Sequence, residues 1–360
     1  MTGNLVRKAP DPAAPGPPAA RGEHFRSLDG LRAFSITLVL LDHLGQPGSR
    51  RPLDLGVGDY GHLGVVIFFV ISGFLITSLL MAERRDKGRV SLKRFYARRA
   101  LRIFPAAYCY LICVFLFWRF GASEMTPKAF GWAATYLVNF FPNPPWPIGH
   151  LWSLSVEEQF YLLWPAAFAL LMRQRATWVA VVVMLLGPLA RAAALTFLRG
   201  TPYEDVPMFP MVADSLAAGC LLAMWRGWLE GQNWYLRLLR PGFSIFLVAL
   251  VLTTNRFVGY GLVEVLGRSV TNVALALLVH RVVHHSWDPV GRLLNSRAAT
   301  FVGQLSYSFY LWQQLFLDRH SSAWYNLFPQ NLILSFLAAL ASYNLLEKPL
   351  LALRHRLRAA

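Results

Sequence analysis

Apolar stretches long enough to cross about 30 Å of hydrocarbon recur along most of this chain, separated by short polar or basic connections. They fall near residues 28–46, 62–82, 104–120, 149–172, 178–198, 208–226, 242–256, 262–284, 300–318 and 331–353. The pattern predicts an all-α, polytopic membrane protein, a bundle of about ten transmembrane helices. Two stretches stand apart. Residues 1–24 hold five prolines between Pro10 and Pro18 and no apolar core, which predicts a disordered cytoplasmic tail and not a signal peptide. The segment from Lys128 to Phe141 is apolar but short, and the run Pro142–Asn143–Pro144–Pro145–Trp146–Pro147 ends it. It reads as an interfacial or re-entrant piece and not as a further span. The domain reading is therefore a tail over 1–24, one membrane domain over 25–353 and a basic cytoplasmic tail over 354–360.

Composition agrees with that reading. Of the 360 residues 55% are hydrophobic and only 15% are Asp, Glu, Lys or Arg, where a soluble domain carries roughly a quarter. That excludes a disordered or ordinary water-soluble protein. The net charge of +16 admits two partners, nucleic acid or membrane headgroups. The positions of the cations decide between them. With both termini inside, 24 of the 35 Lys and Arg fall in inner segments and 7 in outer ones, and nine of the inner ones lie between Arg84 and Arg102. This is the positive-inside bias of a multi-pass protein of the cell membrane, so the partner is the lipid bilayer and not nucleic acid. Cys109, Cys113 and Cys220 are odd in number and lack ligand spacing, so they read as packing residues.

Ionisable groups at bilayer depth are costly and mark functional candidates. Arg32 and His43 are eleven residues apart, about 1100° on a helix, so they share one stripe and sit about 16.5 Å apart along the axis. Histidine is the side chain whose unperturbed pKa allows proton exchange near neutrality, so His43 is suited to take a proton from a hydroxyl; the alternative is a histidine bonded between helices for packing. In the basic run Lys93–Arg102, Arg99 and Arg102 stand at i and i+3 with Arg98 beside them. Paired guanidinium forks suit a phosphate-bearing ligand, although a basic loop at a helix end is also an ordinary orientation signal. A third cluster, Gly149–Tyr161, holds His150, Ser153, Glu157 and Glu158. It admits either a Ser-His-Glu triad or a polar network that orients His43 or an acceptor, and the second is preferred because serine in membrane helices commonly bonds its own backbone. Adjacent Glu157 and Glu158 diverge by about 100°, so at most one faces a given partner. Asp214 and Arg191 are expected to pair across helices, and Glu264 with Arg268 along one. His280 and His284 have metal-compatible spacing but no third ligand in the sequence, so no metal is assigned.

Several of these stretches together resemble the integral-membrane acyltransferase-3 family of O-antigen, peptidoglycan, exopolysaccharide and macrolide acyltransferases. They are Ser27–Arg32 through His43, Phe68–Phe74, Arg99-x-x-Arg102, His150–Tyr161, Ser306–Trp312 and Glu347–Lys348–Pro349, in that order. The resemblance implies transfer of an acyl group, usually acetyl, from acyl-CoA to a hydroxyl of a sugar, glycan or macrolide, with no permanently bound cofactor. It also implies that His43 is the base, that Arg32 belongs to its motif, and that Arg99 and Arg102 contact the donor. Gln313–Gln314 departs from the pattern, because many relatives have a histidine after the Tyr-Leu-Trp. A soluble esterase-like domain of the kind carried by two-domain relatives is not expected. A competing reading of the buried Arg, His and Glu is the relay of a transporter or exporter.

Overall fold

The computed structural model describes residues 25–44, 59–121, 125–257, 259, 261–318 and 321–352, so both predicted tails lie outside the described residues. The chain is helical throughout, with no strand among these residues. The helices are α1 (Arg26–His43), α2 (Tyr60–Lys87), α3 (Leu92–Arg119), α4 (Pro127–Ala134), α5 (Trp146–Gly149), α6 (Leu151–Leu170) and α7 (Arg173–Phe197). They continue with α8 (Phe209–Leu229), α9 (Asn233–Leu238), α10 (Pro241–Arg256), α11 (Arg268–His284), α12 (Pro289–Leu294), α13 (Arg297–Phe316) and α14 (Gln330–Ser342). A π-helical turn over Val263–Gly267 leads into α11, and another over Tyr343–Glu347 extends α14.

Each of the ten predicted segments is mainly helical over its described residues, but the count of ten spans is too fine. Among the described residues four helices are both long and apolar enough to cross a membrane: Tyr60–Lys87, Leu92–Arg119, Arg173–Phe197 and Val263–His284. Of the others, α10 is shorter, and α6, α8 and α13 carry polar side chains that face the bundle interior. The most apolar stretch of α7 is only 17% buried. Its outer face presents Leu185, Leu186, Leu189 and Phe197 to the surroundings, the surface of a helix bathed in hydrocarbon. The chain is a membrane protein. The segment from 128 to 141 is the short α4 and a single 3-10 turn at Val138–Phe140, too short to span.

α2 is the central helix. It packs most extensively on α8 and also on α1, α6 and α11, while α1 packs on α13 and α13 on α14. Small residues allow this. A Cβ on Gly73 would run into the Leu216 carbonyl, and one on Gly219 into the Val70 carbonyl, so α2 and α8 approach backbone to backbone. α2 closes at Gly88, whose φ of +69° suits glycine. Ser91 caps the next helix by accepting from the Arg94 N–H at 3.5 Å. This tight hairpin carries the basic run Lys93–Arg102 into the first turns of α3, so the arginines sit on a helix and not in a loop.

Two ion pairs lie away from the centre. Arg191 and Asp214 form a buried bidentate bridge between α7 and α8, at 3.2 and 2.9 Å, and Ser269 donates to the same carboxylate at 2.6 Å. Arg268 and Glu264 pair at 2.7 Å, one turn apart. Both pairings are those expected from the sequence.

Candidate active site

Two cavities lie end to end between α1, α2, α6 and α13. The first, about 80 Å³, lies where α1, α2, α3, α6 and α13 meet. Arg32, Arg99 and Arg102 line it together with Ser72, Glu157 and Tyr161. The helical spacing explains the convergence: Arg99 and Arg102 share a face of α3, and Arg32 projects from α1 towards them. Asp29 accepts from Arg32 at 3.2 Å, and the Arg99 guanidinium stacks 4.3 Å over the Tyr161 ring. Tyr161 donates to Ser72 at 3.2 Å and Ser72 to Glu157 at 2.5 Å. Three guanidinium groups around one carboxylate make a cationic chamber, the chemistry that recognises phosphate.

The second cavity, about 190 Å³, is lined by His43, Asp42, Asp59, His62, His150 and Trp152 among others. The His43 ring packs edge-on against Trp146, with centroids 5.6 Å apart. Its Nδ1 lies 2.9 Å from Gln313 Oε1. The amide of Gln313 is oriented in turn, because its NH2 donates to Gln314 Oε1 at 3.3 Å. An amide oxygen only accepts, so Nδ1 carries the proton and Nε2 is the basic nitrogen of the neutral ring. Gln313 thus positions His43. His150 donates from Nε2 to the Leu311 carbonyl at 3.1 Å, and its buried Nδ1 has no hydrogen-bond partner among the described residues. Gly61 lets the Asp42 carboxylate approach α2 closely, since a Cβ there would meet it.

Val65 and Tyr310 line both cavities and form the wall between them. The Tyr310 hydroxyl donates to the His150 carbonyl at 2.9 Å and lies 2.5 Å from Ser153 Oγ. The same serine donates to the His150 backbone at 3.2 Å. No Ser-His-Glu triad forms: Ser153 engages the backbone and Tyr310, the His150 ring bonds Leu311, and Glu157 bonds Ser72. The block His150–Glu157 is a polar network bonded to Leu311, Tyr310 and Ser72.

The sequence candidates therefore divide. Arg32, Arg99, Arg102, Ser153 and Glu157 meet in the first cavity, and His43 and His150 meet in the second. Arg98 and Glu158 line neither; Arg98 lies 3.7 Å from Glu83 instead. Tyr310, Ser72, Tyr161 and Gln313 carry no assignment from sequence, although three of them lie in quoted motifs and Gln313 marks the departure from one. His280 and His284 do gain a third group: Glu230 Oε1 lies with their ring nitrogens, all within 4.8 Å of one another. The sequence conceals it because Glu230 lies fifty residues before His280.

Relatives of the chain carry the same kind of chemistry in their names. It is similar to the peptidoglycan O-acetyltransferase OatA of Listeria monocytogenes, 26% identical over 316 residues covering 79% of this chain and 48% of the relative. The putative peptidoglycan O-acetyltransferase YrhL of Bacillus subtilis is 28% identical over 361 residues, covering 90% of this chain and 54% of the relative. The O-acetyltransferase OatA of Staphylococcus aureus is 28% identical over 312 residues, 79% of this chain and 49% of the relative. The chain thus spans about half the length of these relatives. No solved structure shows significant similarity to it. Residues 25–343 match the acyltransferase domain that defines the acyltransferase-3 family, and the chain belongs to that family.

Proposed function

We propose that the protein is a multi-pass membrane O-acetyltransferase that moves an acetyl group from acyl-CoA to a hydroxyl of a glycan, with His43 as general base. The observation that carries this reading is the end-to-end pair of cavities, cationic on one side of Tyr310 and lined by histidines on the other. The basic end faces the cytoplasm under the positive-inside rule, with both termini there, so the CoA phosphates enter beside Arg32, Arg99 and Arg102. The thioester arm passes the Val65–Tyr310 wall and presents its carbonyl to the histidine chamber. There His43 Nε2 takes the proton of the acceptor hydroxyl as its oxygen bonds the carbonyl carbon. The carbon–sulfur bond breaks, and the thiolate takes up a proton to leave as CoA. Gln313 holds the ring in the tautomer that this step needs. The glycan acceptor is the class named for the relatives.

The test is purified protein in detergent with radiolabelled acetyl-CoA and a soluble peptidoglycan fragment. Acetyl ester and free CoA should form together with no membrane gradient, and His43→Ala should slow both by at least about 10²-fold while remaining folded. A transporter built on the same buried charges gives neither product, and a fully active His43→Ala variant removes His43 from the mechanism.

A further inference from the structure

The two histidines near the end of α11 meet a carboxylate from another helix. Glu230 caps the end of α8, and its Oε1 lies 3.0 Å from His280 Nε2 and 3.8 Å from His284 Nδ1. A four-coordinate ion bound at about 2.1 Å holds its ligand atoms about 3.4 Å apart, and the two separations bracket that value. The 3.8 Å separation is too long for a hydrogen bond, so His284 is aimed at the carboxylate without being bonded to it. His280 is fully buried, and its other ring nitrogen lies 2.6 Å from the hydroxyl of Tyr235 on α9. A partner of this kind fixes the ring of a metal-ligating histidine. His284 is exposed, which leaves one side open for a water and for entry of an ion. Two imidazoles and one carboxylate suit zinc and its transition-metal neighbours, whereas magnesium and calcium prefer oxygen ligands throughout. Arg226 works against a cation, because its Nε donates to the same Oε1 at 2.8 Å. Its guanidinium already lies 5.7 Å from the Phe25 ring and has that surface to turn to.

We propose that Glu230, His280 and His284 bind one divalent transition-metal ion of the zinc class, tying the ends of α8 and α11 together beside Phe25 at the start of α1. None of these residues lines either cavity, so the site is independent of the acyl-transfer reading. The test uses the full chain, purified without a histidine tag and stripped with chelator, then titrated with Zn²⁺ and with Co²⁺ as a spectroscopic probe. One equivalent should bind, with a rise in thermal midpoint and a cobalt d–d band. His284→Asn, at an exposed position, and Glu230→Gln should each weaken binding by more than about tenfold, Tyr235→Phe by about tenfold, and Arg226→Gln should strengthen it. Absence of stoichiometric binding to the stripped, folded protein overturns the site. So does binding that His284→Asn and Glu230→Gln leave unchanged, which assigns the cluster to a proton-shared ion pair with Arg226.

Discussion

The two cavities share a wall but hold opposite chemistry. The one at the basic end is built from permanent charges, Arg32, Arg99 and Arg102, whose protonation no local environment reverses. The other is built around imidazoles, His43, His62 and His150, whose ring nitrogens can accept or donate a proton. Fixed charge suits holding a phosphate-bearing donor, and titratable nitrogen suits moving a proton. Under this account binding and chemistry are separable by mutation on either side of Tyr310.

The strongest test of that division is His43→Ala. Loss of a positioned general base should lower kcat by about 10² to 10⁴, with acetyl-CoA affinity unchanged, as read by steady-state transfer and donor titration. Next is Arg99→Ala combined with Arg102→Ala. Each charge-assisted contact contributes about 1.5–3 kcal/mol, so the double variant should raise KM for acetyl-CoA by at least about 10²-fold, with kcat at saturation much less affected. Gln313→Leu removes the acceptor of the His43 Nδ1 proton at the cost of about 1 kcal/mol. It should lower kcat by about five- to tenfold and move the pH–rate profile while leaving KM for the donor alone; an unchanged profile would show that Gln313 packs and does not position. Arg98→Ala is the smallest. Outside both cavities and paired with Glu83 at 3.7 Å, it should change KM by no more than about twofold.

The fold was legible where hydrophobic length alone decides it. The apolar runs are helical over most of their described residues, because in lipid a spanning stretch satisfies its backbone within a helix. The number of spans was less legible, since α6 and α13 devote part of their surface to Glu157, Ser153, Gln313 and Gln314 and so look less like membrane helices. The start of α3 was hidden for a related reason. Hydropathy registers its apolar part from residue 104, yet the basic run before it is also helical, because Arg, Lys and Ala are good helix formers and Ser91 supplies a cap. At the site, spacing within one helix was informative: Arg99 with Arg102 on α3, and Arg32 with His43 on α1. Contacts between helices far apart in sequence were not. The 270 residues between His43 and Gln313, and the fifty between Glu230 and His280, are closed only by packing. Tyr310 is likewise one aromatic among many until the fold sets it between the two cavities.

The central claim is that donor binding and proton transfer belong to different chambers. Calorimetric titration of acetyl-CoA into three purified, folded proteins, the wild type, His43→Ala and the Arg99→Ala/Arg102→Ala double variant, tests it most directly. The account predicts wild-type affinity for His43→Ala, whose turnover falls by at least about 10²-fold, and an affinity loss of at least about 10²-fold for the arginine variant. Equal donor affinity in all three proteins, or loss of donor binding in His43→Ala alone, would contradict it.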